Sequence, residues 1–315
     1  MRCSALLAFL LAAAALPMTA SGKPMPHPLP DPASIHPIEV VRTNDYSEGA
    51  VVDREGNLYF SHEKIITKVT PAGRATTWAT TGAPNGHKIL PNGHHLVCDA
   101  SRHAVIELDA NGKFLRNAAA GEVDGTPIRG PNDLTLDDNG GFYFTDPGDS
   151  DLFNPIGSIY YVNSLGRTNQ VAGGFAFPNG IVLTPDGKRL LFGESQRNRI
   201  LQLKLKAPGQ ADGAASVFGY LPVNKRKGAD PVLDNQPDGM CLDADGRLWI
   251  AHYGMKAVQV LAPDGHHLAT YNGGNVTTSN VCFAGPKFDR LYVTGGNPGA
   301  LYRLDVGVPG LKLLR

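Results

Sequence analysis

Apolar and polar positions alternate along this chain in short stretches that are separated by tight turns. One such stretch is PNDLTLDDNGGFYFTDP, from Pro131 to Pro147, in which a polar turn divides two mostly apolar segments. Alternation over a few residues predicts a half-buried β-strand, and two strands around a tight turn predict a hairpin. The same layout returns in PNGIVLTPDGKRLLFGE from Pro178 and in PDGMCLDADGRLWIAH from Pro237. The pattern therefore predicts a repeated β-unit.

Six copies of this unit occur along the chain. They begin at Glu48, Asn85, Asn132, Asn179, Asp238 and Ser279, at separations of 37 to 59 residues. A third alternating strand follows each hairpin, as in NRILQLKLKA, and a weaker fourth follows in copies such as the one with ATTWAT. Periods of roughly 40 to 50 residues are typical of propeller blades. Four antiparallel strands in each of six copies predict an all-β, six-bladed β-propeller around a central channel.

Other architectures agree less well with the pattern. No segment keeps an apolar stripe at helical spacing over three turns without Gly or Pro, which disfavours α/β barrels and helical bundles. A β-sandwich would not explain six copies in register. To close the ring, either Ile38–Val41 or Leu311–Leu314 must supply the outer strand of the last blade. We expect one propeller domain over residues 38–315, preceded by a Pro-rich lead-in over residues 22–37.

The first 21 residues have the pattern of a secretory signal peptide. Arg2 precedes an apolar run from Ala5 to Leu16, and small residues then provide a cleavage site near Gly22. The run has about a dozen residues, fewer than the roughly 20 that a spanning helix needs, so a membrane anchor is the weaker interpretation. We therefore expect a periplasmic or secreted protein that has no membrane contact after signal removal.

Composition narrows the functional classes. The chain of 315 residues is 42% apolar, enough for a packed core, and its 29 basic and 29 acidic residues give no net charge to attract nucleic acid. Signal removal takes Cys3 away and leaves Cys98, Cys241 and Cys282, an odd number that disfavours a disulfide framework. Pairing of Cys241 with Cys282 stays open as an alternative. We expect a monomer, with a dimer as the alternative.

Every copy carries an oxygen-bearing residue at its first position. Because the first strands of a propeller line the channel and run in the same direction, these residues should form a ring at one level. The ring contains Glu48, Asn85, Asn132, Asn179, Asp238 and Ser279, with Asn280 one position later. Water alone makes channel residues polar, but two carboxylates held close together need a cation or a proton. Two carboxylates with amide oxygens and no thiolate predict a hard cation, with Ca²⁺ favoured over Mg²⁺.

In their order along the chain, these motifs resemble the senescence-marker-protein/gluconolactonase family of six-bladed propellers, and are similar to regucalcin and the diisopropyl-fluorophosphatase-like hydrolases. The stretches that carry the resemblance are SEGAVVDREGNLYF, GPNDLTLDDNGGFYFTDP, FPNGIVLTPDGKRLL, QPDGMCLDADGRLWIAHYG and TSNVCFAGP. The resemblance implies Glu48, Asn179 and Asp238 as ligands of a divalent metal, Ca²⁺ first and Zn²⁺, Mn²⁺ or Mg²⁺ as alternatives. It also implies Asp238 as the catalytic base and Asn132 as a substrate contact.

Further substrate contacts are expected around the channel mouth. Family members often place an arginine shortly before the Asn132-type residue, and the candidate here is Arg129 in IRGPND. Because its spacing differs from the family pattern, specificity for polyol lactones stays open. The remaining candidates are Asn85, Ser279, Asn280 and His252, although a hydrogen-bonded structural role is the more common one for a histidine such as His252.

Together these features predict a metal-dependent hydrolase that opens a sugar lactone or a related lactone, with Asp238 taking a proton from water. Phosphotriester hydrolysis at the same ring is one alternative. A non-catalytic propeller that binds a ligand or a protein is another, because fold alone does not determine function. The sequence has no Gly-rich phosphate loop, no G-x-S-x-G nucleophile motif and no zinc-protease histidine pair.

Overall fold

The computed structural model describes residues 25–312, and antiparallel β-sheets make up nearly all of its regular structure. Within this part of the chain, the helical segments are three short 3₁₀ turns at Pro32–Ser34, Ala100–Arg102 and Ser195–Arg197. The expected all-β class is confirmed. None of the described helical segments has the length and apolar character needed to cross a membrane. The expected signal peptide lies outside the described residues.

Four sheets stand alone, and each corresponds to one copy of the repeat. The first contains Ser47–Val52, Leu58–His62, Ile65–Val69 and Ala75–Thr80, and the second contains Pro84–Ile89, His95–Asp99, Ala104–Leu108 and Phe114–Ala120. The third contains Leu134–Leu136, Phe142–Asp146, Gly157–Val162 and Thr168–Phe175. The fourth contains Pro178–Leu183, Arg189–Glu194, Arg199–Ala207, Gln210–Ala211 and Ser216–Tyr220. A small hairpin, Glu122–Val123 with Thr126–Pro127, lies between the second and third sheets.

The last two copies share one eight-stranded sheet. Its strands are Gln236–Leu242, Leu248–Tyr253, Ala257–Leu261, His267–Asn272, Thr277–Ala284, Arg290–Gly296, Ala300–Leu304 and Ile38–Arg42. The Tyr253–Thr277 pair links the two halves of this sheet. The described strands thus have the propeller-like arrangement that the repeat predicts. However, the backbone hydrogen bonds between strands form four separate blade-like sheets and one sheet of double size. The double sheet arises because the Tyr253–Thr277 pair joins the last two copies.

The N-terminal candidate supplies the outer strand at the point of closure. Ile38–Arg42 pairs antiparallel with Ala300–Leu304, from Ile38 opposite Arg303 to Arg42 opposite Ala300. At the other end of the described chain, the Leu311 N–H donates to the Leu242 carbonyl at 3.0 Å. Residues 313–315 lie outside the described part of the chain.

The lead-in packs onto the eight-stranded sheet. Tyr271 donates its hydroxyl hydrogen to the Pro30 carbonyl at 2.8 Å, and Arg247 donates from Nη1 to the His27 carbonyl at 2.7 Å. Ile35 is buried in the apolar cluster around Trp249. The described part of the lead-in is therefore packed against the β-structure.

The innermost strands approach one another closely just after the first position of each copy. Glycine follows that position in four copies, at Gly49, Gly86, Gly180 and Gly239. A Cβ on Gly180 would lie 2.2 Å from the Asp238 carbonyl oxygen, and one on Gly49 would lie 2.0 Å from the Asn85 carbonyl oxygen. Glycine is needed because any larger residue would push neighbouring strands apart. This close approach brings the first positions of consecutive copies together near the channel axis.

Candidate metal and substrate site

The two ring carboxylates lie on either side of one tyrosine hydroxyl. Tyr46 donates to Oε1 of Glu48 at 2.6 Å, and its hydroxyl oxygen is 3.4 Å from Oδ2 of Asp238. Glu48 is 7% exposed and Asp238 is 5% exposed. Tyr46 also packs edge-on against Tyr253, with ring centroids 6.0 Å apart. The fold therefore brings Glu48 and Asp238 to the same place from distant parts of the sequence.

Burial makes both carboxyl groups weaker acids than usual. It raises the pKa of Glu48 to about 8, with the charge of Asp133 adding to the effect, while the Tyr46 hydrogen bond acts in the opposite direction. The pKa of Asp238 is raised well above its ordinary value, first by burial and then by the charges of Glu48 and Asp133. A cluster of this kind keeps a proton at neutral pH unless a cation offsets its charge.

Two buried oxygen atoms at this site have no hydrogen-bond partner among the described residues. They are Oε2 of Glu48 and Oδ1 of Asn179. Thr145 fixes the backbone beside the asparagine, because its hydroxyl donates to the Asn179 carbonyl at 2.8 Å. Buried polar atoms normally have partners, so unpartnered acceptors at a carboxylate pair are suited to an additional positive group.

The donor chemistry also fits a hard divalent cation. The ligand candidates Glu48, Asn179 and Asp238 offer carboxylate and amide oxygens, which Ca²⁺ prefers. Within residues 25–312, no group of three or more His, Cys, Asp and Glu side chains is arranged to hold a metal ion. This site has two carboxylates in its ligand set and depends on an amide oxygen for the third position.

A cavity of about 780 Å³ opens next to the ring. Asn85, Asn132 and Arg129 line it together with Phe177. The Arg129 side chain packs against Gly148, where a Cβ would lie 2.8 Å from Cδ of the arginine. The charge of Arg129 also lowers the pKa of Asp146, which lies on the neighbouring strand, although burial has the larger effect on that group. Amide groups and a cationic side chain therefore face a space of the size that small ligands occupy.

The loop that carries Arg129 is held by a carboxylate from the adjoining strand. The backbone N–H groups of Arg129 and Gly130 donate to the two carboxylate oxygens of Asp146, at 2.8 and 2.6 Å. Asp99 holds Gly82 and Ala83 in the same way, at 2.8 Å each. An acid at the end of the second strand thus fixes the entry to the first strand of its own sheet.

Three other predicted contacts have different surroundings. Ser279 is fully buried, and its hydroxyl donates to the Ser47 carbonyl, which ties the last copy to the first. The Asn280 side chain packs where a Cβ on Gly239 would lie 2.2 Å from its Nδ2 atom. His252 is also fully buried, with Nδ1 3.1 Å from Nε2 of Gln259. Burial lowers the pKa of His252 to about 3, so it is neutral near pH 7, in agreement with the structural interpretation.

Three residues at or near the site were not anticipated. Tyr46 has no counterpart in the other copies, so the repeat contains no signal for it. Asp133 occupies the position where four copies have glycine, and Lys88 is the one cationic residue found three positions after the start of a copy. Both departures from the repeat were visible in the sequence. The three free cysteines, Cys98, Cys241 and Cys282, form no disulfide in the described structure.

Comparison with known proteins adds independent information. A family model described as "SMP-30/Gluconolactonase/LRE-like region" matches residues 46–297. A gluconolactonase from Zymomonas mobilis is 28% identical over 290 residues, covering 83% of this chain and 79% of that protein. Diisopropyl-fluorophosphatase from Loligo vulgaris is 26% identical over 261 residues, covering 73% of this chain and 80% of that protein.

The fold also has close structural counterparts. Regucalcin from Agrobacterium tumefaciens, described as a calcium-binding protein, has a TM-score of 0.74 at 24% sequence identity. The match covers 89% of this chain and 98% of that one. At this level of identity, the similarity concerns the fold.

Proposed function

Because the chain belongs to the SMP-30/gluconolactonase/LRE-like family, we propose that it is a hydrolase that opens a sugar lactone or a related lactone with the help of a divalent metal. The observation that carries this proposal is the pair of buried carboxylates, Glu48 and Asp238, beside an unpartnered Asn179 oxygen. The adjoining cavity has the volume of a small-ligand pocket. Similarity to the Zymomonas mobilis gluconolactonase supports the choice of a lactone.

Glu48, Asn179 and Asp238 would hold the metal, and the oxygen donors favour Ca²⁺ over Zn²⁺, Mn²⁺ and Mg²⁺. The structural similarity to a calcium-binding regucalcin agrees with this choice. When bound, a divalent ion supplies a Lewis acid that polarises the substrate carbonyl.

The chain's own residues would then transfer the proton and orient the substrate. Asp238 takes a proton from the attacking water, and the ring ester C–O bond breaks to give a hydroxy acid. Asn132 and Asn85 orient the substrate from the cavity wall, where Arg129 offers a cation to a polar or anionic substituent. Tyr46 keeps the two carboxylates in position through its hydrogen bond to Glu48.

A second candidate activity is phosphotriester hydrolysis at the same site. It is favoured by the similarity to diisopropyl-fluorophosphatase, which extends over 73% of this chain. A bound divalent ion can polarise a phosphoryl oxygen as well as a carbonyl oxygen. Both activities would use Asp238 and the same cavity.

We also propose that the eight-stranded sheet works as two blades, giving a six-bladed propeller. The Tyr253–Thr277 pair is the link between its halves. The first strands also contact one another in order around the axis, and Thr277–Ala284 contacts Ser47–Val52. This proposal assigns residues 38–315 to a single domain.

For the N-terminus, we propose that residues 1–21 are a signal peptide and that the mature monomer is periplasmic or secreted. Sequencing the N-terminus of the protein recovered from each cell fraction tests this. Full-length protein in the cytoplasm would contradict it.

Activity should be tested on protein stripped with a chelator and then supplied with Ca²⁺, Mg²⁺, Mn²⁺ or Zn²⁺ separately. We expect hydrolysis of a gluconolactone to return with Ca²⁺ and to exceed hydrolysis of a phosphotriester. The reverse order would favour the second candidate. If no member of a panel of lactones and phosphotriesters were hydrolysed with any of the metals, the enzymatic proposal would be wrong.

A further inference from the structure

A buried ion pair lies farther along the innermost strands, next to the carboxylate cluster. Nζ of Lys88 is 3.7 Å from Oδ1 of Asp133, and it donates to the His87 carbonyl at 3.2 Å. The lysine side chain is 17% exposed and the aspartate side chain is 2% exposed. Neither residue belongs to the ligand set described above.

Asp133 cannot be explained as an ordinary surface acid. Its Oδ1 atom accepts from the Leu134 N–H at 2.8 Å, whereas its Oδ2 atom is buried without a partner among the described residues. Its carboxylate lies beside the ring, because a Cβ on Gly86, the residue after Asn85, would be 2.4 Å from Asp133 Oδ1. At this place its charge also raises the pKa of both Glu48 and Asp238. Lys88 acts in the opposite direction and lowers the pKa of Asp133, although burial has the larger effect.

The charges of these four groups can be added. Three ionised carboxylates and one protonated lysine leave two negative charges, which one divalent cation offsets. Without Lys88 the cluster would have three negative charges, and without Asp133 it would have one. Buried charge that remains uncompensated is costly, so the balance affects which cation the cluster can hold.

We propose that Lys88 and Asp133 form a charge-setting pair that matches the candidate site to a divalent cation. Lys88 cancels the charge of Asp133, and the site then presents the net charge of Glu48 and Asp238 alone. Both members of the pair are positioning residues, because they act on the metal through the electrostatic field and not by contact. The inference rests on the proposed metal site, but not on which ester the protein hydrolyses.

The alternative is that Asp133 is itself a metal ligand. The two explanations differ in what they require when both members of the pair are neutralised. If Asp133 binds the metal directly, removing the charge of Lys88 cannot restore the lost oxygen ligand. If Asp133 acts only through its charge, removing the charge of Lys88 as well restores the net charge of the site. A double-mutant comparison therefore separates them.

The experiment measures binding of Ca²⁺ by calorimetry and of Tb³⁺ by luminescence to stripped protein. The variants are Asp133→Asn, Lys88→Met and the double variant. Asp133→Asn should weaken Ca²⁺ binding by roughly tenfold or more, because Lys88 then repels the cation. The double variant should recover most of that loss. Lys88→Met alone should shift the preference towards Tb³⁺ by roughly tenfold or more.

Matched controls exclude a general loss of structure. Asp305→Asn removes an exposed acid that follows the strand Ala300–Leu304 and pairs with Arg290 and Arg303, outside the proposed site, and should leave both affinities unchanged. Thermal unfolding without metal shows whether each variant is folded. If Lys88→Met does not fold, Lys88→Gln provides the same neutralisation with a polar side chain.

Each outcome bears on the inference. If the double variant binds Ca²⁺ as weakly as Asp133→Asn, the charge-setting role is wrong and Asp133 is required in its own right. If the wild-type protein binds no divalent cation, the proposed metal site fails and the inference fails with it. Recovery in the double variant together with the Tb³⁺ shift supports the pair, whatever substrate is hydrolysed.

Discussion

The Tyr46 hydroxyl donates to Oε1 of Glu48 at 2.6 Å and lies 3.4 Å from Oδ2 of Asp238, so it contacts both proposed carboxylate ligands. Tyr46 as a whole is 40% exposed, but desolvation of its hydroxyl beside the two carboxylates, together with the charges of Asp238 and Glu48, raises the pKa of Tyr46 well above its ordinary value, so it stays protonated and acts as a donor. Its hydrogen bond to Glu48 lowers the pKa of that carboxyl group, against the larger effect of burial, and so favours the ionised form of Glu48.

Asp238→Asn tests the role of the proposed base. The change keeps the size of the side chain and one oxygen ligand, but removes the negative charge and the proton acceptor. Lactone hydrolysis at saturating metal should fall by roughly 10²- to 10⁴-fold, and metal binding should become weaker. Initial rates measured together with calorimetry check both effects.

Asn132→Ala is the matched comparison for that variant. It removes a neutral side chain that faces the cavity, so KM should rise more than metal affinity falls. If Asp238→Asn kept nearly full activity, the assignment of the base would be wrong.

Glu48 should give the metal-free protein a distinctive pH dependence. Its pKa is about 8 in the folded protein against an ordinary value of 4.5, so the folded state keeps a proton that the unfolded chain has lost between these values. The stabilisation that comes from the tighter proton binding of folded Glu48 is fully present below pH 4.5 and is lost as the pH rises through 8. Urea unfolding with a chelator present should therefore show the wild-type protein losing stability relative to Glu48→Gln across this range.

Saturating Ca²⁺ should reduce this difference in slope, because a bound cation stabilises the ionised carboxylate. Parallel stability curves for the two proteins without metal would contradict the raised pKa of Glu48.

At the scale of the strands, the glycines after the ring residues determine how closely the innermost strands pack. A Cβ on Gly180 would meet the Asp238 carbonyl oxygen at 2.2 Å and the Gly239 Cα atom at 2.7 Å. Both contacts are with backbone, which cannot rotate away as a side chain can. The spacing between Asn179 and Asp238 therefore depends on the absence of a side chain at Gly180.

Gly180→Ala should destabilise the protein by about 1 to 3 kcal/mol, as overpacking commonly does, and should also weaken metal binding. Gly130→Ala is a suitable stability control, because the nearest atom to its added Cβ is 4.0 Å away. Urea unfolding and calorimetry measure the two effects. Equal stability of the two variants would show that the innermost strands can separate without cost.

At the scale of the whole molecule, the segment before the first strand contributes to the packed structure. Ile35 is 9% exposed, and hydrogen bonds join Tyr271 to Pro30 and Arg247 to His27. Removing residues 22–37 from the mature protein should therefore lower the free energy of unfolding by about 2 kcal/mol or more. Thermal and urea unfolding measure the loss.

Removal of residues 22–26 alone is the control, because it keeps all three contacts. If the two truncated proteins were equally stable, the lead-in would be only a connection between the signal peptide and the β-structure.

The amino-acid sequence by itself determined the features that repeat. Strand alternation, turn residues and the first position of each copy recur along the chain, so they predicted the all-β propeller-like arrangement. They also placed six oxygen-bearing residues in one ring, and the resemblance to a known family then implied Glu48, Asn179 and Asp238 as the metal ligands within it. A periodic pattern can be recognised in the sequence because every copy occupies an equivalent place around the axis and needs the same residue types there.

Only the tertiary structure decided the features that occur once. The Tyr46 contact with both carboxylates, the Lys88–Asp133 pair and the joining of the last two copies into one sheet depend on contacts between residues far apart in sequence. The same holds for the choice of Ile38–Arg42 as the closing strand, since both chain ends carried a suitable apolar pattern. Local alternation specifies which residues form strands, but which strand edges and side chains meet depends on distances that exist only after the chain has closed on itself.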